Sequence, residues 1–261
     1  YYLGVGKFTP SAAVQGDMGW RVVSHSQWLA VTRLWCRLIN MERGRVNSKI
    51  FRWAFYRSNN RARTWCFHAK SFYMNIGIGE LCNIDRTVKV SDILQKLDGL
   101  LDNYYQGKWK EEVNRVDAKR GSGKNKLRTY RLFKKDFKVE NYASTTMPRS
   151  HRSALAKFRS GVAPIRLETG RYEGLAEDQR VCPFCKDAAV ENELHVILYC
   201  PIYADLHMFL FKECSLLDDN FINMTDTEKL CFILGDNRTV KISAKILNNI
   251  LHRRRLLIYH F

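Results

Sequence analysis

Four residues constrain this chain more tightly than any other feature: Cys182, Cys185, His195 and Cys200. The first two bracket the turn Cys182-Pro183-Phe184-Cys185, nine residues separate Cys185 from His195, and four separate His195 from Cys200. A tetrahedral ion with soft or borderline donors at ~2.0–2.3 Å takes two thiolates from one such turn and closes its shell with a later His and Cys. The spacing predicts one Zn²⁺, structural because four protein ligands leave no open position. Sulfur and nitrogen donors disfavour calcium and magnesium, which take oxygen. Two other readings of the Cys-x-x-Cys turn exist, a redox dithiol and unligated packing cysteines; the first lacks a βαβ context. His207 competes with His195 for the nitrogen position. Cys36, Cys66, Cys82, Cys214 and Cys231 are dispersed among apolar residues and are expected in cores. Eight cysteines without a secretory signal fit reduced thiols inside the cell.

Around this cluster the pattern is mainly α. Trp28, Val31, Trp35 and Leu38 form an amphipathic stripe that predicts a helix over 24–41, with Ser24 or Ser26 as its cap. Val46, Ile50 and Trp53, then Trp65, Phe72 and Tyr73, predict two more helices, parted by the polar break Ser58-Asn59-Asn60. The tryptophans keep helical spacing, so residues 1–80 read as an aromatic-packed helical module rather than a base-stacking platform. From Ser91 an apolar pattern continues to Val116 through Gly99 and Gly107, as one helix or two joined near Gly107. The run Lys119-Arg120-Gly121-Ser122-Gly123-Lys124 has linker composition. Short helices are expected over Leu127–Lys138 and Pro148–Ser160, loops over 161–180, and helices over 201–213, 226–234 and 239 to the end. No apolar run approaches the ~20 residues that a membrane-spanning helix needs.

The charge is uneven. Forty-three Lys and Arg against 26 Asp and Glu give +17, which points to a polyanionic partner. Residues 108–171 hold 18 basic and 6 acidic side chains, whereas residues 172–261 hold 10 and 13. On a helix, Lys124, Arg128, Arg131, Lys135 and Lys138 form one stripe opposite Tyr130, Phe133 and Phe137. Arg149, Arg152 and Arg159 repeat the arrangement against Leu155 and Phe158, and Arg166 and Arg171 extend it. These ten residues are the expected phosphate contacts to RNA or single-stranded DNA, salt-sensitive and poorly sequence-selective.

A catalytic centre is not evident in the pattern. Asp98 and Asp102 share a helix face, but metal-dependent polymerases and nucleases need several converging carboxylates. Leu216-Leu217-Asp218-Asp219 lacks the aromatic of a reverse-transcriptase aspartate turn, and Gly121-Ser122-Gly123-Lys124 lacks the spacing of a phosphate loop.

The block His151-Arg152-Ser153-Ala154-Leu155-Ala156-Lys157-Phe158-Arg159-Ser160-Gly161, followed by Pro164-Ile165-Arg166, Glu168-Thr169-Gly170-Arg171-Tyr172 and Arg180-Val181-Cys182 through Cys200-Pro201, resembles the carboxy-terminal region of LINE-type (non-LTR, jockey-like) retrotransposon reverse transcriptases. The opening Leu3-Gly4-Val5, Thr9-Pro10, Ala12-Ala13-Val14 and Gly16-Asp17-Met18-Gly19 is similar to the segment after their polymerase thumb. The resemblance covers 1–20 and 120–207. It implies that Cys182, Cys185, His195 and Cys200 form a CCHC zinc module that helps hold element RNA and target DNA during target-primed reverse transcription. The polymerase aspartates have no matching positions here. The sequence also opens on Tyr1 rather than Met, and reads as part of a longer polypeptide.

The resulting expectation is a helical post-thumb module (1–119), a basic helical bridge (120–171), a CCHC zinc module (172–214) and C-terminal helices (215–261). It would act without catalysis of its own, in a ribonucleoprotein of nucleus and cytoplasm, beside the rest of the parent polypeptide. The alternative is a zinc-dependent protein-interaction scaffold, which the acidic 172–261 segment and the apolar Ile246, Ile250, Leu256 and Leu257 favour and Arg253-Arg254-Arg255 disfavours.

Overall fold

The computed structural model describes residues 2–58, 64–115 and 126–259. Its helices are α1 Ser11–Met18, α2 Val23–Ile39, α3 Val46–Arg57, α4 Trp65–Ile76, α5 Val90–Asn114, the single turns α6 Tyr130–Phe133 and α7 Asn141–Ser144, α8 Arg149–Arg159, the single turn α9 Arg166–Thr169, α10 Ala204–Leu217, α11 Asp226–Gly235 and α12 Val240–Tyr259. Among the described residues there is no strand, only an isolated antiparallel bridge between Val181 and Val190. No described helix is long and apolar enough to cross a membrane. Lys119–Lys124, expected as a linker, lies outside the described residues.

Two compact units emerge, Arg21–Lys108 and Tyr1–Trp20 with Trp109–Phe261. They do not follow the four expected divisions. Residues 1–20 belong with the C-terminal part of the chain, and the basic 126–171 segment is no separate bridge. Its Tyr142, Leu155 and Phe158 share one buried core with Val196, Leu210 and Ile246.

The Arg21–Lys108 unit is built on aromatic rings. Trp35 is fully buried and meets Phe51, Trp65 and Tyr73 edge-on, with ring centroids 5.0–5.3 Å apart. Its indole N–H donates to the Leu81 carbonyl at 2.9 Å, so burial leaves no orphan donor. Trp28 stacks flat on Phe72 at 3.5 Å. α2 starts and ends within two residues of expectation, but α3 presents the opposite face. Ser48, Phe51, Ala54 and Phe55 are buried, while Val46, Ile50 and Trp53 are exposed, Trp53 by 60%. Two apolar stripes coexist on this helix, and the one that meets Trp35 goes inside. The Ser91 pattern resolves as one helix, α5, with Gly99 and Gly107 inside it.

In the other unit, α8 and α12 pack side by side, with α10 and α11 against α12. A capping box starts α11, Thr225 and Glu228 each satisfying the other's backbone N–H. The helix expected over Leu127–Lys138 stops at Phe133. Lys134 leaves the helix and turns its ammonium inward to Glu140 (2.5 Å) and the Lys138 carbonyl (2.7 Å). This removes the continuous basic stripe that a longer helix would have displayed. Gly161 has φ 67°, and a side chain there would collide with the Lys126 carbonyl, so the turn after α8 requires glycine on both counts.

Candidate metal centre and basic surface

The four expected ligands come together. One donor atom from each of Cys182, Cys185, His195 and Cys200 lies within 4.8 Å of the other three, so the group can hold one metal ion. Cys182 and Cys200 Sγ are 3.9 Å apart and Cys185 Sγ lies 3.5 Å from His195 Nε2. Those separations match the edges of a tetrahedron whose vertices stand about 2.0–2.3 Å from its centre. His207 is not part of the group; its Nε2 is paired with the Val196 carbonyl at 2.9 Å, and its ring stacks on Phe211.

Local backbone geometry explains why this spacing works. The Cys182 N–H donates to Ala189 O (2.8 Å) and the Glu191 N–H to Arg180 O (2.9 Å), which folds 180–191 into a small hairpin. Ala188 turns the chain at φ 48°. His195–Tyr199 is a π-turn, closed by the Cys200 N–H on the His195 carbonyl at 2.7 Å. An i→i+5 ring brings residue i+5 over residue i. It sets Cys200 beside His195, as an ordinary α-turn would not. Asn192 Oδ1 accepts from the His195 N–H (2.8 Å) and fixes the start of that turn.

The three thiols hold their protons unequally. The Cys182 thiol is pushed down to about 4, first by its bond with Cys200 and then by the Phe184 N–H, His195 and the Cys185 N–H. The same shared proton, with burial, pushes Cys200 up. Burial raises Cys185. A divalent ion would favour the thiolate at all three positions.

Buried ion pairs tie this hairpin to the helices. Glu191 is fully buried and accepts both arms of Arg254 (2.9 and 2.8 Å) and the Arg166 N–H (2.5 Å). Arg128 makes a two-point pair with Glu193 (3.1 and 2.5 Å). Arg180 is buried and donates to the carbonyls of Leu167 and Leu175. A second hub is Asp17. It accepts from Tyr130 Oη (3.0 Å), Tyr142 Oη (2.6 Å) and the Arg159 guanidinium (3.1 and 3.0 Å).

Of the expected phosphate contacts, burial removes Arg159. Arg159 is 2% exposed and committed to Asp17, Glu140 and the Leu234 carbonyl, so it is an internal strut. Arg128 is taken by Glu193. Arg152 bonds the carbonyls of Tyr142 and Thr145 and covers the Tyr2 ring. Arg166 pairs with Glu173, and Arg171 sits against Glu168. Arg131 and Lys135 bond carbonyls of their own segment, and Lys138 pairs with Asp136 at the surface. Arg149 is exposed. Lys124 lies outside the described residues. Sequence reading missed the buried anions Asp17 and Glu191, whose partners stand 142 and 63 residues away. It also missed what the Arg253-Arg254-Arg255 run does. At 100° per residue the three diverge, Arg253 to Asp205 (2.5 and 2.7 Å) and Arg254 to Glu191. Arg255 points to a groove with Lys157.

No protein-family model matches the chain, and neither the curated proteins nor the solved structures yield a match.

Proposed function

We propose that the chain is a nucleic-acid-binding, carboxy-terminal portion of a non-LTR retrotransposon reverse transcriptase, in which one structural Zn²⁺ at Cys182, Cys185, His195 and Cys200 holds a basic helical unit in shape. The observation that supports the reading is the bond between its two resembling segments. Asp17 of Gly16-Asp17-Met18-Gly19 is buried against Arg159 of the 151–161 block, and both belong to the unit that carries the Cys₃His group. Three thiolates and an imidazole select zinc among the common divalent ions. The unit binds RNA or single-stranded DNA by its phosphates, performs no chemistry itself, and works beside the rest of the parent polypeptide in an intracellular ribonucleoprotein.

Two measurements test it. Zinc content should be near one per chain, and near none in Cys182→Ser. Affinity for a single-stranded oligonucleotide should fall by orders of magnitude between roughly 50 and 200 mM salt. A binding constant indifferent to salt, or absent at low salt, would sink the reading.

The scaffold alternative has one observation in its favour, an apolar cleft of about 390 Å³ between Pro183, Phe184, Ile202, Leu257 and Ile258. An Ile258→Glu variant that keeps RNA affinity but loses self-association or partner binding would favour it.

A further inference from the structure

α8 and α12 leave a groove of about 310 Å³ between them, lined from one side by Ser150, Ser153 and Lys157 and from the other by Asn248, His252 and Arg255. The spacing explains the composition. Positions i, i+3 and i+7 of α8 face positions i, i+4 and i+7 of α12, so each helix presents one stripe to the same space. Every charged lining residue is basic.

Of the two strong cations, Lys157 is half-buried and Arg255 is exposed. Four inward-turned basic residues of this unit have acidic partners, Arg159 with Asp17, Arg254 with Glu191, Arg128 with Glu193 and Lys134 with Glu140, and buried Arg180 is held by the carbonyls of Leu167 and Leu175. Among the described residues neither Lys157 nor Arg255 has an acidic partner. They stand instead near each other, and burial together with the Arg255 charge pushes the Lys157 ammonium down. Like charges held together in a partly buried groove cost stability that an arriving anion would return. The remaining lining groups are hydroxyl, amide and imidazole, all able to donate to anionic oxygens. The volume is close to the lower limit of roughly 300 Å³ for ligand pockets, which suits one phosphate with its sugar rather than a folded surface.

We infer that the α8–α12 groove is a phosphodiester subsite in which Lys157 and Arg255 grip the backbone of a single-stranded nucleic acid. This rests on the nucleic-acid reading above and assigns it a place. Of the gripping residues, Lys157 is one that the linear charge pattern did not single out and Arg255 belongs to the Arg253-Arg254-Arg255 run, while Arg159, on the same helix as Lys157, is spent inside.

The test uses the full chain and a labelled single-stranded oligouridine RNA, followed by fluorescence anisotropy across salt. Lys157→Gln with Arg255→Gln should weaken binding roughly 10- to 100-fold at low salt and make the slope of log affinity against log salt shallower by about 1.4, two contacts at ~0.7 each on a single strand. Lys241→Gln with Lys245→Gln, the same charge change at exposed positions of α12 outside the groove, should have a much smaller effect. Amine footprinting of the unmutated chain provides a readout that needs no variant: RNA should protect Lys157 from modification and leave Lys245 reactive. Equal losses in the two double variants, or an unprotected Lys157, would overturn the subsite while wild-type RNA binding, if present, keeps the broader reading intact. Protection of Lys157 by a free mononucleotide as strong as by RNA would also overturn it, assigning the groove to a free phosphate ligand. If the wild-type chain binds no RNA at all, the broader reading falls and the subsite with it.

Discussion

The two units solve the same problem, burying helices in a basic chain, by different means. Arg21–Lys108 does it with rings: Trp35 sits inside a shell of Phe51, Phe55, Trp65 and Tyr73, and pairs such as Lys96–Glu80 and Arg43–Asp85 are at the surface. The other unit places charges inside, Arg159 on Asp17 and Arg254 on Glu191, and adds a Cys₃His group. An aromatic core stabilises through buried area and tolerates change of surface charge. A core with buried ions is held to one arrangement, because each ion left alone is costly. That difference matters for a binding surface. It fixes which cations are spent within the fold and which remain for a ligand.

The comparison can be broken by substitution. Asp17→Asn should destabilise the ion-paired unit by about 3–5 kcal/mol in urea unfolding, because Arg159 loses its main counter-charge while still buried. Trp35→Ala should cost a similar ~3–5 kcal/mol, but with exchange protection lost within 21–108 and metal content unchanged. A smaller effect is expected at His207, whose pKa burial lowers from the usual 6.5. The unfolded chain then takes up the proton first as pH falls, so wild-type stability is complete above pH 6.5 and declines below it until the depressed folded value is passed. Relative to His207→Gln, wild type should lose stability on going from pH 7 to pH 5, by no more than about 1.4 kcal/mol per pH unit; a difference that is flat with pH would contradict the burial argument. Lys96→Gln, at an exposed pair with both side chains 48% accessible, should change stability by less than ~1 kcal/mol. A loss as large as that of Asp17→Asn would erase the distinction between the units.

Local signals were legible in the sequence and distant ones were not. The ligand set could be read because its geometry is encoded within 19 residues, and helix α2 because its apolar stripe is unambiguous. On α3, the stripes containing Val46, Ile50 and Trp53 and containing Phe51 and Phe55 both have helical spacing, and only contact with Trp35 selects between them. The charges of Arg152 and Arg159 announce an anionic partner without saying whether it is a nucleic acid or, as found for Arg159, Asp17 from the first helix. Lys134 shows the same effect on secondary structure, since its inward ion pair with Glu140 accompanies the end of a helix that periodicity would have continued.

If the proposed Zn²⁺ holds the Cys₃His group, the contrast between that unit and the ring-packed one is tested most directly by hydrogen exchange of the full chain before and after chelation. The expected result is a loss of protection across 180–200 and the helices tied to it, α8 and α12, with α2, α3 and α4 unchanged. Uniform protection before and after, or equal loss in both units, would contradict it.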